Sequence, residues 1–101
     1  MKIPFEQLDV WKKSCQLVIE VYKIFDQSQG YGLRNQITRA AVSVPSNIAE
    51  GSERQTTKEF IQYLYIAGKL KQISSEDMQK VISEAKKVSK MFQALISNLK
   101  N

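Results

Sequence analysis

Apolar and polar positions alternate along this chain with the spacing of helices. Apolar residues recur every three or four positions in four separate segments, which places them along one face of each helix. No segment keeps the two-residue alternation of a half-buried strand. The pattern predicts helices over about 9–27, 33–50, 57–71 and 75–99. Because the connections are short, we expect a single all-α domain, residues 1–101, folded as an antiparallel up-down four-helix bundle.

The second segment contains an internal proline, Pro45. Proline cannot donate a hydrogen bond to the carbonyl of Ala41, and its ring crowds that turn, so the sequence predicts a kinked second helix. Gly51 follows the segment at the position of a C-terminal cap. The side chains placed to satisfy part of the freed backbone are Ser43, Ser46 and Asn47.

Residues that favour turns and helix ends mark the connections. Gly30 and Gly32 predict a turn before the second helix, since glycine readily takes positive φ. Thr56 and Glu59 have the spacing of a capping box at the start of the third helix. One of the serines at 74–75 is expected to cap the fourth helix.

The composition narrows the range of functions. With 43% hydrophobic and 25% charged residues the chain resembles an ordinary soluble protein. No apolar run reaches the length of a membrane span, and the N-terminus lacks the apolar segment of a signal peptide, so we expect a cytoplasmic protein without a membrane partner. Cys15 is the only cysteine and there is no histidine. We therefore expect no internal disulfide, no metal, no cofactor and no catalytic activity.

Basic residues outnumber acidic ones by 15 to 10, and they concentrate toward the C-terminus. A basic helix flank can hold phosphates by releasing counterions, although a solvated helix face has the same composition. Tyr65 lies off the apolar stripe of its helix and is the better candidate for stacking on an unpaired base, whereas Phe60 and Tyr63 are predicted core residues. The candidate nucleic-acid contacts are Lys69, Lys71, Lys80, Lys86, Lys87, Lys90, Arg34 and Arg54.

Polar residues form a second stripe on the second helix and just beyond it. The members of this polar stripe are Arg39, Ser43, Asn47, Glu50 and Arg54. In a structural interpretation, Glu50 pairs with one of the arginines while Ser43 and Asn47 satisfy backbone near the proline. In a functional interpretation, the stripe is a recognition face for RNA, DNA or a protein subunit.

Three stretches of the chain carry a family resemblance. They read FEQLDVWKK (5–13), GLRNQITRAAVSVPSNIAEGSER (32–54) and TKEFIQYLYIA (57–67). Together they resemble the four-helix-bundle proteins encoded by intervening sequences of bacterial 23S ribosomal RNA genes. The resemblance implies a helical bundle that often assembles as a homopentamer. One branch of the family serves diversity-generating retroelements, in which it binds a reverse transcriptase and nucleic acid.

The chain departs from the family pattern after Ala67. The family usually continues with a further helical stretch, and its absence corresponds to about fourteen residues, or ~21 Å of helix. We therefore expect a shortened third helix that leaves part of the fourth helix's apolar face uncovered. An uncovered apolar face favours oligomerisation.

Taken together, these features predict a non-catalytic, oligomeric bundle that acts as a nucleic-acid-binding accessory or scaffold module. One alternative is a protein-interaction scaffold, for example a partner of a reverse transcriptase. The other is an intervening-sequence remnant without a cellular role.

Overall fold

The computed structural model describes residues 4–26 and 31–100, and within them every regular element is helical. A 3-10 turn at Phe5–Gln7 precedes four α-helices. These are α1 (Asp9–Phe25), α2 (Tyr31–Glu50), α3 (Arg54–Lys69) and α4 (Ser75–Lys100). The predicted all-α class with four helices is confirmed.

The four helices pack as a closed square. Each helix contacts the next one in the chain, and α4 returns to contact α1. The molecule measures 45 × 18 × 18 Å, so its long axis is close to the ~39 Å expected of the longest helix. Contacts between Glu20 and Lys80 and between Gly68 and Met78 join the end of one helix to the start of another. This is the order expected of antiparallel neighbours, and the up-down order of the whole bundle stays a prediction.

The core takes buried apolar side chains from all four helices. The largest fully buried ones include Phe25, Ile37, Phe60 and Phe92, one from each helix. Burial of such a side chain stabilises a fold by about 1.5–3 kcal/mol. The predicted core position of Phe60 is confirmed, and Tyr63 packs half-buried against the same core.

Two helix starts differ from the prediction. α2 begins at Tyr31, so Gly32 lies inside a helix without positive φ, while Gly30 lies outside the described residues. α3 begins at Arg54, three residues before the predicted start. The capping box at Thr56 is wrong, because Glu53 precedes the first turn and its carbonyl accepts the Thr57 amide at 2.9 Å.

The end of α2 confirms the predicted glycine cap. Gly51 has φ +86°, and its amide donates to the carbonyl of Ile48 at 3.0 Å. The Ser52 amide donates to the carbonyl of Asn47 at 2.8 Å. Together the two bonds form a Schellman motif.

The end of α3 repeats this motif without a glycine. The Lys71 amide donates to the Gly68 carbonyl at 3.1 Å, and the Gln72 amide donates to the Ala67 carbonyl at 2.9 Å. Lys71 takes φ +59°, which ends α3 at Lys69 rather than at residue 71. The next helix starts as predicted, since Ser74 Oγ accepts the Asp77 amide at 3.0 Å.

α2 runs without interruption through Pro45. The nearby side chains bond to carbonyls on either side of Ala41. Ser43 donates to Arg39 at 3.0 Å and Ser46 donates to Val42 at 3.2 Å, while Asn47 donates to Ser43 at 3.0 Å. These bonds reinforce the turns around the proline, and the kink itself stays a prediction.

α3 has 16 residues against 17, 20 and 26 in α1, α2 and α4. It is the shortest helix, but only by one residue. The part of the apolar face of α4 that the other helices leave exposed is also small. Val81 and Phe92 are buried, while Met91 and Leu99 are exposed near the C-terminal end. The remaining exposed apolar side chains lie mainly on α3 and α1.

Candidate functional site

A groove between α3 and α4 brings together the predicted aromatic and part of the predicted basic set. Its volume is about 500 Å³, and one wall comes from Tyr65 of α3. The α4 residues that line it are Met78, Gln79, Ile82, Ser83, Lys86, Lys87 and Lys90. Because these α4 positions recur at intervals of three and four, one face of the helix presents them all.

The apolar pattern of α3 explains the placement of Tyr65. Phe60, Leu64 and Ala67 are fully buried, and Tyr65 lies next to this stripe rather than on it. Its side chain is 47% exposed. On α4, Val88 faces the core, which leaves Lys86 and its neighbours exposed at the rim of the groove.

The groove carries an excess of positive charge. Lys86, Lys87 and Lys90 line it, and none of its lining residues is acidic. Lys80 differs from these three, because its Nζ lies 3.1 Å from Oε1 of Glu20 on α1. The hydrogen bond and the charge of Glu20 raise the pKa of Lys80. Lys80 therefore forms an ion pair with Glu20, and its role as a phosphate contact stays a prediction.

The other predicted basic residues do not line the groove. Lys69 and Lys71 are exposed at the end of α3. Arg34 is half-buried on α2, and Arg54 is exposed at the first position of α3. Three of the eight candidates therefore line the groove, and the role of the other five stays a prediction.

The polar stripe is partly structural. Asn47 Nδ2 donates to Thr56 Oγ1 at 2.7 Å and so ties the end of α2 to the start of α3. Arg39, Glu50 and Arg54 are exposed, and among the described residues Glu50 forms no ion pair with either arginine. The predicted pairing of Glu50 is therefore wrong, since these side chains extend into solvent.

A buried carboxylate that sequence reasoning missed lies one turn beyond Glu50. Glu53 is 1% exposed, and Oε2 accepts from Thr57 Oγ1 at 2.6 Å. Its Oε1 accepts from Ser89 Oγ at 3.2 Å and from Gln93 Nε2 at 2.8 Å. These bonds fasten the start of α3 to α4. Only Thr57 is near in sequence, so spacing alone did not identify the network.

A comparison of the sequence with known protein families finds a match. Residues 6–70 match the family described as 23S rRNA-intervening sequence protein. The chain belongs to that family. The match spans more than half of the sequence and ends at the turn after α3. No curated protein matches the chain.

For this 23S rRNA-intervening sequence protein, the family match covers Tyr65 but not α4. The three groove lysines therefore lie outside the matched region. Ser89 and Gln93, which donate hydrogen bonds to the Glu53 side chain, also lie outside the matched region.

The described residues give no support for a metal site, a membrane-spanning helix or a reactive thiol. Residues 4–26 and 31–100 contain no group of three or more histidine, cysteine, aspartate or glutamate side chains that could hold a metal ion. No helix there combines the length and apolar character needed to cross a membrane. Cys15 is half-buried, and burial raises the pKa of its thiol, which keeps it protonated at neutral pH.

Proposed function

We propose that this 23S rRNA-intervening sequence protein binds nucleic acid through the groove lysines of α4. The observation that carries the proposal is the charge of the groove. Lys86, Lys87 and Lys90 stand together without an acidic neighbour in the lining, whereas Lys80 is paired with Glu20. Phosphate groups of RNA or DNA are the ligands that such a surface attracts.

The spacing of the lysines suits a phosphate backbone. Lys86 and Lys90 are one turn apart, about 6 Å along the helix axis. Their long side chains can reach successive charges while α4 supplies a rigid base. Three lysine–phosphate contacts correspond to a salt slope of about −2 for a single strand and about −2.7 for B-form DNA.

The proposed role is that of a non-catalytic accessory or scaffold module in the bacterial cytoplasm. Three contacts provide only weak binding at physiological salt. A homo-oligomer, such as the pentamer that the resemblance implies, would multiply this surface and raise the avidity. Oligomerisation is therefore part of the proposal rather than a separate function.

Fluorescence anisotropy with labelled RNA and DNA, at about 50 mM and about 200 mM salt, tests the proposal. The informative variant is K86A/K90A. Its matched control is K12A/K23A, which removes two exposed lysines of α1. We expect K86A/K90A to flatten the single-strand salt slope by about 1.4, and the control to leave it unchanged. Equal effects of the two variants, or no binding at the lower salt, would contradict the proposal.

A protein-interaction scaffold is the second candidate function. Ile66 lies in the last turn of α3 and Leu70 directly follows the helix; the two side chains are 45% and 58% exposed. An exposed apolar pair of this kind is suited to contact with another chain, either a second copy or a partner such as a reverse transcriptase. Sedimentation of the wild type, I66S/L70S and a V42S control on α2 tests this function. We expect only I66S/L70S to dissociate an oligomer, and a monomeric wild type would contradict self-association.

A further inference from the structure

We propose that the groove beside Tyr65 seats one unpaired base, so that the protein distinguishes single-stranded nucleic acid from a duplex. The inference rests on the proposed function, because the same groove lysines hold the backbone on either side of that base. It adds a substrate class that phosphate contacts alone do not determine, since lysines attract paired and unpaired strands alike.

The aromatic ring of Tyr65 lies at the edge of the groove. Tyr65 is 47% exposed and lines the groove from α3, opposite the side chains of α4. A solvent-accessible aromatic ring beside a basic groove is the usual arrangement for base stacking in single-strand-binding proteins. A base within a duplex has both faces covered by its neighbours, whereas an unpaired base can lie on the ring.

Two apolar side chains of α4 line the groove. Met78 is half-buried and Ile82 is 6% exposed, and both side chains line the groove near Tyr65. Gly68 of α3 lies against Met78, and a Cβ at that position would overlap the Met78 sulfur. The glycine therefore lets the Met78 side chain pack closely on α3. The planar face of a base can replace water on such a surface.

Two uncharged polar side chains of α4 also line the groove. Gln79 and Ser83 are exposed, lie one turn apart and lead along α4 towards Lys86. Both side chains donate and accept hydrogen bonds, so they can satisfy the edge of any base without selecting one. The groove volume of about 500 Å³ falls within the usual range of small-ligand sites. The volume and the lining of the groove therefore suit a single nucleotide with its flanking phosphates.

An anisotropy titration with the full chain tests the inference. The variants are Y65A, which removes the ring, and Y65F, which keeps the ring and serves as the matched control. The probes are a single-stranded oligonucleotide, a duplex of the same sequence and an abasic strand with the same number of phosphates. A polyglutamate peptide serves as a fourth probe for general anion binding.

We expect Y65A to weaken binding of the single strand by about 5-fold to about 150-fold, which is the range of base–aromatic stacking. Binding of the duplex and the abasic strand should change by less than about twofold, because their phosphate contacts remain. Y65F should behave as the wild type. Thermal unfolding of Y65A, followed by circular dichroism, checks that the exposed substitution leaves the fold intact.

Failure of this inference is distinguishable from failure of the proposed function. If K86A/K90A weakens all nucleic-acid probes while Y65A weakens none selectively, the lysine surface stands and base stacking is overturned. If Y65A weakens polyglutamate binding as much as single-strand binding, the groove is a peptide site and the inference is also overturned. If no nucleic-acid probe binds the wild type, both proposals fall.

Discussion

The carboxylate of Glu53 at the start of α3 accepts a 2.8 Å hydrogen bond from the side-chain amide of Gln93, forty residues later on α4. Thr57 and Ser89 supply two further donors to the same carboxylate. A carboxyl group that is 1% exposed thus takes its side-chain hydrogen bonds from neutral residues. These bonds hold α3 and α4 together at one end, and the groove lies between the same two helices.

We expect Glu53→Ala to lower the free energy of unfolding by about 2–4 kcal/mol. The substitution removes three hydrogen bonds to a buried carboxyl group and leaves the buried Thr57 hydroxyl without its Glu53 acceptor, while the exposed Gln93 amide can bond to water instead. Urea denaturation followed by circular dichroism measures the change.

The matched control for this prediction is Glu50→Ala. Glu50 is exposed at the C-terminal end of α2, where a negative charge opposes the helix dipole. Its removal should change stability by no more than about 0.5 kcal/mol. A similar loss of stability in both variants would show that the Glu53 network does not stabilise the bundle.

A second prediction concerns the left-handed conformation of Lys71. Its φ of +59° closes the Schellman motif after α3, and a residue with a Cβ pays about 1–2 kcal/mol there. Lys71→Gly should therefore raise stability by about 1 kcal/mol, or the melting temperature by about 4–8 °C. Thermal unfolding measures the shift.

Lys69→Gly is the control for Lys71→Gly, because it removes the same charge two residues earlier. Lys69 is the last helical residue of α3, so glycine there should lower stability by up to about 1 kcal/mol. If both substitutions change the melting temperature in the same direction, backbone conformation does not explain the effect.

Several features of the fold were predictable because they depend on nearby residues. Helical periodicity identified the four helices, and the spacing around Phe60 separated it from the exposed Tyr65. The caps at Gly51 and Ser74 also follow from local chemistry. In each case the decisive partner lies within one or two turns of the residue.

The features that were not predicted depend on distant partners or on an unusual conformation. Ser89 and Gln93 reach Glu53 across 36 and 40 residues, so Glu53 could not be separated from the exposed Glu50 by spacing. The Thr56 capping box failed because α3 begins two residues before Thr56, whose hydroxyl instead accepts a hydrogen bond from Asn47 of the preceding helix. Lys71 carries no local signal for positive φ, where glycine is usual.

A third prediction compares two glycines that both have open space where a Cβ would be. Gly51 has φ +86°, so Gly51→Ala forces an alanine into the left-handed region and should cost about 1 kcal/mol. Gly32 lies in α2 without positive φ, so Gly32→Ala should instead stabilise the protein by up to about 1 kcal/mol. Urea midpoints should move in opposite directions, and a shift in the same direction would contradict the assigned backbone conformations.

The last prediction rests on the proposed nucleic-acid binding and concerns the pair between Lys80 and Glu20. Lys80 lies two turns before Lys87 on the same side of α4, but its ammonium is held 3.1 Å from the Glu20 carboxylate. Glu20→Gln should release Lys80 for a further phosphate contact. We expect a single-strand salt slope steeper by about 0.7, whereas Lys80→Ala in the wild-type background should change the slope little. The control Glu50→Gln changes the net charge equally, so an equal steepening there would mean that overall charge, and not the release of Lys80, governs binding.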